Sequence, residues 1–315
     1  MKKITLLCLM PIILAGCGKN DQPATGSGAY KKWSYLVPVQ APAVAMSEFA
    51  TLEKFETTTE PSSIPSLMAA KKYDVVVAPT NVGANAIKNA HAEYKLLATI
   101  TFGNFYIAST GHDDDGIMDV YDYIVNFQPA GIPNKVFSYV YNGGFQNVAH
   151  TVASNLAAQT CLETGKNQAD NNADVDYVLI SEPSLTIGLG NNENAEIYED
   201  LQSKYYLKSG GSIITQASVF VKSSLNSDDV KKEFLPLLKS SIEGYISNPT
   251  TLKESMNKVE NAKAIFGVTP DVAFESTKNG NRMGLGIKES STILEDTNKF
   301  LQVLGAPQFA NEDIA

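Results

Sequence analysis

Residues 73–81 read YDVVVAPTN, and residues 175–183, much later in the chain, read VDYVLISEP. Aligned on Asp74 and Asp176, both stretches contain an acidic residue, a short apolar run and a proline with a polar neighbour. Helix-like sequence follows each of them. A short apolar run bounded by proline is typical of a buried strand, and a proline in the first turn is typical of a helix start. The chain is therefore predicted to build the same strand-to-helix turn twice.

Strand-like and helix-like segments alternate around these two stretches. The runs YLVPV, KFETTT, KLLATITF and FYIAST are predicted as strands. The rhythm breaks near Gly111 and resumes through a second set, which includes a predicted helix at DVYDYIVN and a returning strand in SIITQASVFVKSS. Such alternation predicts an α/β fold with two lobes, each a mostly parallel sheet flanked by helices. The expected lobes are residues 34–110 together with 223–315, and residues 111–222.

The predicted turns point to a site between the lobes. In open α/β sheets, ligands bind outside the carboxyl ends of the strands. Each of the two turns follows the carboxyl end of a predicted strand. Two lobes that face each other would therefore place the two turns on opposite walls of one ligand cleft.

The first residues of the chain have the pattern of a secretion signal. Lys2 and Lys3 precede an apolar run that is too short to span a bilayer. The sequence Leu14-Ala15-Gly16-Cys17 then resembles the bacterial lipobox, which implies that Cys17 becomes the first residue after cleavage and carries a lipid. An ordinary cleavage site beside an unmodified Cys17 is the alternative. We expect a signal peptide over residues 1–17, a flexible tether over 18–33, and an extracytoplasmic protein anchored to a bacterial membrane.

Composition narrows the possible partners. The chain has 315 residues and a net charge of -9, which argues against nucleic acid or an anionic membrane surface as a partner. Of the three cysteines, Cys8 lies in the signal and Cys17 at the lipid site. Cys161 would then have no disulfide partner, and its place in an apolar-periodic segment predicts a buried side chain rather than a nucleophile.

A family resemblance rests on several runs taken in order. The runs YLVPVQAPAVAM, PSLMAAKKYDVVVAPTN, YKLLATITFGNFYIAS, VDYVLISEP and TQASVFVKS resemble the type II periplasmic binding proteins of ABC importers. The most similar members bind taurine, alkanesulfonates, nitrate or thiamine precursors, and the resemblance covers roughly residues 34–305. It implies a monomeric two-lobe clamp that closes on a small solute by hinge motion. An ABC permease and its ATPase would then take up the solute.

The resemblance also suggests residues that contact the solute. In the first lobe they lie in the loops that follow strands: Gln40, Ala41, Pro42, Thr80, Asn81, Asn104 and Phe105. Helix starts at these loops offer free backbone N–H groups. A plain N-cap role for Asn81 and core packing for Phe105 are the alternatives.

Candidates in the second lobe and the returning segment are Gly143, Gly144, Ser154, Glu182 and Gln216. The glycine pair permits close backbone approach to a ligand, or simply ends a helix. Ser154 could instead cap the Cys161 helix, and Gln216 could occupy a surface strand. Glu182 is expected either to pair with a solute or to satisfy a helix dipole.

Charge and aromatic content suggest the kind of solute. Arg282 is the only arginine of the chain and lies in the turn KNGNRMGLG, away from the predicted cleft loops. Because sulfonate and phosphate sites often use a bidentate arginine, a neutral aromatic or heterocyclic solute is preferred. Candidate aromatic contacts are Trp33, Phe102, Phe105, Tyr106 and Phe145.

Catalytic and metal-binding patterns do not emerge from the sequence. His91, His112 and His150 are scattered, and Asp113–Asp115 is interpreted as a solvated loop. We therefore expect neither an enzyme nor a cofactor. One alternative is an enzyme similar to thiamine-pyrimidine synthase, although that branch uses a cysteine-rich motif absent from this chain. Another is a surface lipoprotein that docks a protein partner.

Overall fold

The computed structural model describes residues 27–112, 116–127, 131–145 and 150–315. Three expectations lie outside the described residues. They are the signal peptide with Cys17, the tether up to residue 26, and the acidic loop Asp113–Asp115.

A six-stranded sheet forms the first half of the fold. Strands are numbered in chain order, and this sheet contains β1 (Tyr35–Pro38), β2 (Phe55–Thr58), β3 (Val75–Pro79), β4 (Tyr94–Thr101), β12 (Ala217–Lys222) and β13 (Leu285–Glu289). Its spatial order is β13-β4-β12-β3-β1-β2.

A five-stranded sheet forms the second half. It contains β5 (Phe105–Ser109), β6 (Ile124–Phe127), β7 (His150–Val152), β10 (Tyr177–Ser181) and β11 (Glu196–Asp200). Its spatial order is β11-β5-β10-β6-β7, and the short strands β8 (Lys166–Asn167) and β9 (Ala173–Asp174) form a separate pair. The expected helix at DVYDYIVN is replaced there by β6, whose four residues are all buried.

Helices cover both sheets. They are α1 (Ala41–Ala45), α2 (Ile64–Ala69), α3 (Thr80–Lys88), α4 (Ile132–Val140), α5 (Asn155–Thr164), α6 (Ser184–Asn191), α7 (Leu201–Lys208), α8 (Leu235–Ser247), α9 (Pro249–Asn257), α10 (Ala262–Phe266), α11 (Pro270–Lys278) and α12 (Ser290–Val303). Local chemistry sets several starts: Ser154, Asp200 and Thr269 accept backbone N–H bonds as N-caps of α5, α7 and α11.

The α/β class and the two sheets flanked by helices are confirmed, and both sheets are mixed. In the first sheet, β1 pairs in parallel with β2 and β3, whereas β12 pairs antiparallel with β3 and β4. In the second sheet, β10 is parallel to β6 and antiparallel to β5. Most strands of each sheet therefore run in one direction, as expected. In the first sheet β12 and the edge strand β13 are reversed, and in the second sheet β5 is reversed.

These reversed strands move the positions where the chain crosses between the sheets. FYIAST was expected in the first lobe and ASVFVK in the second. In the structure, β5 pairs in the five-stranded sheet and β12 in the six-stranded sheet. The chain thus crosses at residues 102–104 and again just before Ala217, rather than near 111 and 223. An apolar strand carries no local signal of which sheet it will join. The sequence alone therefore assigns each strand to the lobe of its neighbours in the chain.

The repeated stretches have matching roles in the two sheets. Asp74 precedes β3, and its Oδ2 accepts a hydrogen bond from the backbone N–H of Ser34, at the start of β1, at 3.0 Å. Asp176 precedes β10, and its Oδ2 accepts from the N–H of Tyr123, at the start of β6, at 2.7 Å. Each carboxylate therefore aligns the start of the parallel neighbour strand. The repeat in the sequence corresponds to a repeated pair of parallel strands.

Residues 27–33, expected as part of a flexible tether, pack against the first-sheet unit instead. The backbone N–H groups of Ser27 and Gly28 donate to the Glu233 carboxylate at 2.5 and 2.8 Å. Trp33 is buried and packs edge-to-face on Phe234, with ring centroids 5.6 Å apart. Burial of an aromatic side chain holds this segment on the sheet unit.

Close packing between α3 and β12 yields a stability prediction. A Cβ added to Gly83 would lie 2.0 Å from a ring carbon of the buried Phe220. We expect Gly83→Ala to lower the free energy of unfolding, because overpacking costs about 1–3 kcal/mol. Urea unfolding of the purified protein measures this change.

Gly244→Ala is the matched control. Gly244 lies within α8, and no atom comes within 4 Å of its added Cβ. This substitution should raise the free energy of unfolding by about 0.5–1 kcal/mol, since alanine favours the helix. If both variants were stabilised alike, the tight approach of α3 to Phe220 would be refuted.

Candidate functional site

The carboxyl ends of strands from both sheets face one cleft. Its volume is about 530 Å³, within the usual range of small-molecule sites. The lining residues are Pro38, Val39, Gln40, Pro42, Pro61, Ser62, Pro79, Asn81, Val82, Phe105, Phe127, Gly131, Ile132, Pro133, Lys135, Asn155, Ser181, Gln216 and Ala217. Five of the twelve candidate residues from the sequence are among them: Gln40, Pro42, Asn81, Phe105 and Gln216.

Polar atoms on the first-sheet wall lack protein partners. The side-chain oxygens Oδ1 of Asn81 and Oε1 of Gln216 are shielded from solvent, and neither has a hydrogen-bond partner. The chain places these residues side by side, because the N–H of Thr80 donates to the carbonyl of Gln216 at 3.0 Å. Unpaired buried acceptors are costly. A ligand that donates hydrogen bonds would satisfy both atoms.

On the second-sheet wall, the polar side chain of Asn155 is paired with the backbone. Asn155, the first residue of α5, donates through Nδ2 to the carbonyl of Ser181 at 3.2 Å and accepts from the Ser181 N–H at 3.0 Å. Phe105 in β5 and Phe127 in β6 lie on either side of β10 and line the cleft, each about 2% exposed. These two side chains and several prolines give the cleft a mainly apolar lining.

Lys135 is the one ionisable side chain among the described residues that line the cleft. Its Nζ donates to the carbonyl of Leu304, at the carboxyl end of α12, at 2.6 Å. The negative end of a helix dipole stabilises such an ammonium group. The cleft therefore combines apolar surface and neutral hydrogen-bonding groups with one lysine side chain, whose ammonium bonds Leu304 in the neighbouring groove between α4 and α12.

The remaining candidates of the first lobe lie just behind the cleft. Ala41 is buried at the start of α1. Thr80 is fully buried and its hydroxyl bonds that of Ser218 at 2.8 Å. Asn104 is 2% exposed and donates through Nδ2 to the carbonyl of Glu182 at 3.1 Å. These three residues position the cleft wall rather than form its surface.

Candidates in the second lobe also have local structural roles. Ser154 caps α5 by accepting from the N–H of Ala157 at 3.2 Å. Gly143 and Gly144 form the turn that follows α4. Gly143 lines a different surface groove of about 640 Å³, between α4 and the end of α12. The helix-cap and helix-stop interpretations describe the geometry of these residues.

Glu182 is not among the residues that line the cleft, and it lies in a buried ion pair. Its carboxylate is 0% exposed and lies 3.0 Å from Nε of Arg282. Thr186 donates to the same carboxylate from its N–H at 3.1 Å and from its hydroxyl at 2.9 Å. Its oxygens are therefore engaged by protein groups, and the structure offers none of them to a solute. Of the two roles expected for Glu182, the structure shows the one at a helix start, because the carboxylate accepts from the Thr186 N–H in the first turn of α6. Arg282 is not among the residues that line the cleft, in keeping with the position expected for its turn.

Burial and the nearby charge shift the pKa of the Glu182 carboxyl in opposite directions. Burial raises the pKa of the Glu182 carboxyl above its usual value. The Arg282 charge and the hydrogen bonds from Thr186 oppose that rise without cancelling it. The carboxylate is thus stabilised mainly through its partners, so the loss of one partner would leave a buried charge.

Sequence reasoning missed several residues of the second wall. Phe127, Lys135 and Asn155 line the cleft but were not among the candidates. The sequence could have indicated Asn155, because it directly follows the predicted N-cap Ser154 and so lies at a helix start. Phe127 was missed since β6 was taken for a helix, and Lys135 because it lies one turn inside α4.

Of the five aromatic candidates, Phe105 alone is among the described cleft-lining residues. Trp33 packs in the first-sheet core, and Phe145 packs beside Phe137 at a ring distance of 5.9 Å. Phe102 lies against Gly286, and Tyr106 is buried in the second-sheet core.

Other chemistries have little support in the described structure. Cys161 is 3% exposed, and burial raises the pKa of its thiol to about 11, which disfavours the reactive thiolate. Among the residues with described positions, no group of His, Cys, Asp and Glu side chains is arranged to hold a metal ion. In the same residues, no helix has the length and hydropathy needed to cross a bilayer.

Solved structures provide the comparison with known proteins. The fold is similar to an ABC transporter protein from Parabacteroides distasonis, with a TM-score of 0.68 and 16% identity over 90% of this chain and 98% of that one. It is similar to the periplasmic aliphatic sulphonate binding protein SsuA from Escherichia coli, with a TM-score of 0.59 and 10% identity over 90% and 91% of the two chains.

A third similar structure is the alkanesulfonate-binding protein SsuA from Xanthomonas axonopodis pv. citri bound to MOPS. Its TM-score is 0.56, with 9% identity over 86% of this chain and 92% of that one. The sequence matches no protein-family model and no curated protein. At these identities the comparisons establish the fold. The chain has the two-lobe α/β fold of the periplasmic binding proteins of ABC transporters.

The buried ion pair yields a second stability prediction. Arg282→Met should lower the free energy of unfolding by about 3–5 kcal/mol, because it leaves the Glu182 carboxylate buried without its counter-charge. Combining it with Glu182→Gln should recover part of the loss, since the buried charge is then removed. Urea unfolding of the single and double variants measures both effects.

Lys232→Met is the control for loss of a charge pair. Lys232 pairs with Asp228 at 2.9 Å, but both side chains are 71% exposed, and exposed pairs contribute little. Its unfolding midpoint should stay near that of the wild type. A midpoint for Arg282→Met that also matches the wild type would show that the buried pair is not needed for stability.

Proposed function

We propose that this protein is an extracytoplasmic solute-binding protein. In this proposal it captures a small organic solute in the cleft between its two lobes and delivers it, as a monomer, to an ABC importer. The observation that carries the proposal is the cleft at the carboxyl ends of both sheets, with the unpaired oxygens of Asn81 and Gln216 on one wall. The similar folds of ABC transporter binding proteins support it.

The lining favours a neutral aromatic or heterocyclic solute. Phe105, Phe127 and the prolines offer flat apolar contacts, and Asn81 and Gln216 would accept hydrogen bonds from ring or amide N–H groups. The one ammonium group in the lining, on Lys135, already donates to the carbonyl of Leu304. The preferred solute therefore has hydrogen-bond donors and no net charge.

An organic anion is the second candidate, because of Lys135. This residue provides a positive charge, and no carboxylate is found among the described residues that line the cleft. Two of the structurally similar proteins are described as sulphonate-binding. A sulfonate would gain from the Lys135 charge, and its binding would weaken with added salt.

Membrane attachment through Cys17 is part of the proposal. The lipobox-like sequence Leu14-Ala15-Gly16-Cys17 supports it, and so does the periplasmic location named for the sulphonate-binding protein of similar fold. A short tether between the lipid and the packed segment at Ser27 would keep the protein close to its permease. Such confinement raises the effective concentration of the binder at the transporter.

Binding without catalysis completes the proposed role. The similar structures described above are binding proteins and transporter components. Capture by an interlobe cleft requires only complementary surface and a change in lobe separation.

The cleft residues allow a direct test of this function. The probe is a solute library of neutral aromatic and heterocyclic compounds together with alkyl sulfonates. A compound that binds the folded state must raise the melting temperature. For such a compound, Asn81→Ala and Gln216→Ala should each weaken binding by about threefold to tenfold, the loss of one hydrogen bond. Isothermal titration calorimetry measures the affinities.

Asn89→Ala provides the matched control. Asn89 is exposed at the carboxyl end of α3, the helix whose second residue is Asn81, so its removal should leave the affinity unchanged. Repeating the titration at higher salt separates the two solute classes, because only an anion should bind more weakly. If no compound raised the melting temperature, or if Asn89→Ala matched the cleft variants, the proposed site would be rejected.

A further inference from the structure

The turn over residues 279–284 extends from the first-sheet unit to the second-sheet unit. Its residue Arg282 contacts three residues of the second unit. Nε lies 3.0 Å from Oε1 of Glu182, Nη2 donates to the hydroxyl of Thr186 at 2.9 Å, and the Arg282 carbonyl accepts from the Tyr106 hydroxyl at 3.5 Å. Side chain and backbone therefore both connect the two units.

The contact is buried and charged. Glu182 is fully buried and Arg282 is 17% exposed at its side chain. Thr186 holds the carboxylate from the first turn of α6 through its N–H and hydroxyl. The guanidinium has one close contact with this carboxylate, from Nε to Oε1, and one hydrogen bond, from Nη2 to the Thr186 hydroxyl. The second-sheet unit thus binds the Arg282 side chain through two residues at the start of α6.

The turn itself is rigidly attached to the first unit. Asn281 donates through Nδ2 to the carbonyl of Leu285 at 2.7 Å and accepts from the Leu285 N–H at 3.2 Å. Met283 is fully buried in the first-sheet core. Movement of the turn relative to the first sheet would break these contacts. Any rotation of one unit against the other would therefore strain or break the contacts of Arg282 with Glu182 and Thr186.

The same turn lies directly on the first chain crossing. The N–H of Phe102 donates to the carbonyl of Gly284 at 2.8 Å. A Cβ added to Gly284 would come within 1.9 Å of the Gly103 carbonyl oxygen, so glycine permits this approach. The Arg282 contact and the covalent crossing at residues 102–104 consequently lie side by side.

We propose that Arg282 is a positioning residue whose noncovalent connection between the two lobes sets the affinity of the cleft. The two chain crossings permit rotation, and the pair of Arg282 with Glu182 and Thr186 holds the arrangement seen in the structure. A cleft binds its ligand in proportion to the population of the competent arrangement. The effect on affinity rests on the proposed function, whereas the effect on lobe separation does not.

The test measures lobe separation without any solute. Cysteines replace Thr59, exposed on the first lobe near the mouth of the cleft, and Leu156, 67% exposed beside Asn155 on the second lobe. The protein begins after Cys17, so the buried Cys161 is its one native cysteine. Spin labels at the two new positions report the distribution of distances by pulsed electron resonance.

Two mild substitutions weaken the connection while keeping the protein folded. Arg282→Lys keeps the charge but loses the planar fork of donors, and Thr186→Val removes the hydroxyl while preserving shape. Both should broaden the distance distribution and lengthen its mean relative to the wild type. Coincidence of all three distributions would overturn the proposal.

Lys222→Met controls for loss of an ion pair that lies within one lobe. Lys222 contacts Asp74 at 3.0 Å, and both side chains are partly buried in the first-sheet unit. Its removal should reduce stability without altering the distances. If Lys222→Met broadened the distribution as much as Arg282→Lys, the effect would reflect general loosening, and the proposal would fail.

Affinity is measured separately with any compound from the solute library. Arg282→Lys should weaken binding several-fold although Arg282 does not line the cleft, and Lys222→Met should leave it unchanged. Unaltered affinity in Arg282→Lys would refute the link to binding. If no compound bound even the wild type, the proposed function would fail, and the distance measurement would still decide whether Arg282 connects the lobes.

Discussion

The fold depends on how the chain crosses between its two sheets. At each crossing, one reversed strand enters a sheet beside a strand that begins with an aspartate. At the first crossing, the carbonyl of Asn104 accepts from the N–H of Glu182, and at the second, the carbonyl of Gln216 accepts from the N–H of Thr80. Each bond joins a crossing residue to the helix start of the sheet that the chain is entering. The carboxyl ends of both sheets are thereby held against the same cleft.

This arrangement explains why equivalent residues of the repeat are buried. Thr80 and Glu182 occupy matching positions after β3 and β10, and both are fully buried. Thr80 bonds the hydroxyl of Ser218, whereas Glu182 pairs with Arg282. A buried polar group needs a partner. The partner of Thr80 lies in the same sheet unit, whereas the partner of Glu182 lies in the other unit, so the second pair connects the two units.

Local sequence patterns predicted much of the fold and part of the site. The apolar runs and helix starts are local features, so the α/β class followed from them. The five cleft-lining residues came from the family resemblance, which places solute contacts in the loops after strands. The pairing of Glu182 with Arg282 joins residues far apart in the chain, and no local pattern specifies it. The same holds for the sheet that β5 and β12 enter, because an apolar strand fits either sheet. Packing of Trp33 on Phe234 likewise joins distant segments.

Native mass spectrometry tests the central claim, a cleft that binds a small solute, most directly. The protein would begin after Cys17, be purified without denaturation and then be mixed with the solute library. Binding energy from an enclosed cleft predicts a discrete added mass at a ratio of one solute per chain, which disappears on denaturation. A spectrum that shows only the polypeptide mass, before and after addition of every compound, would contradict the account.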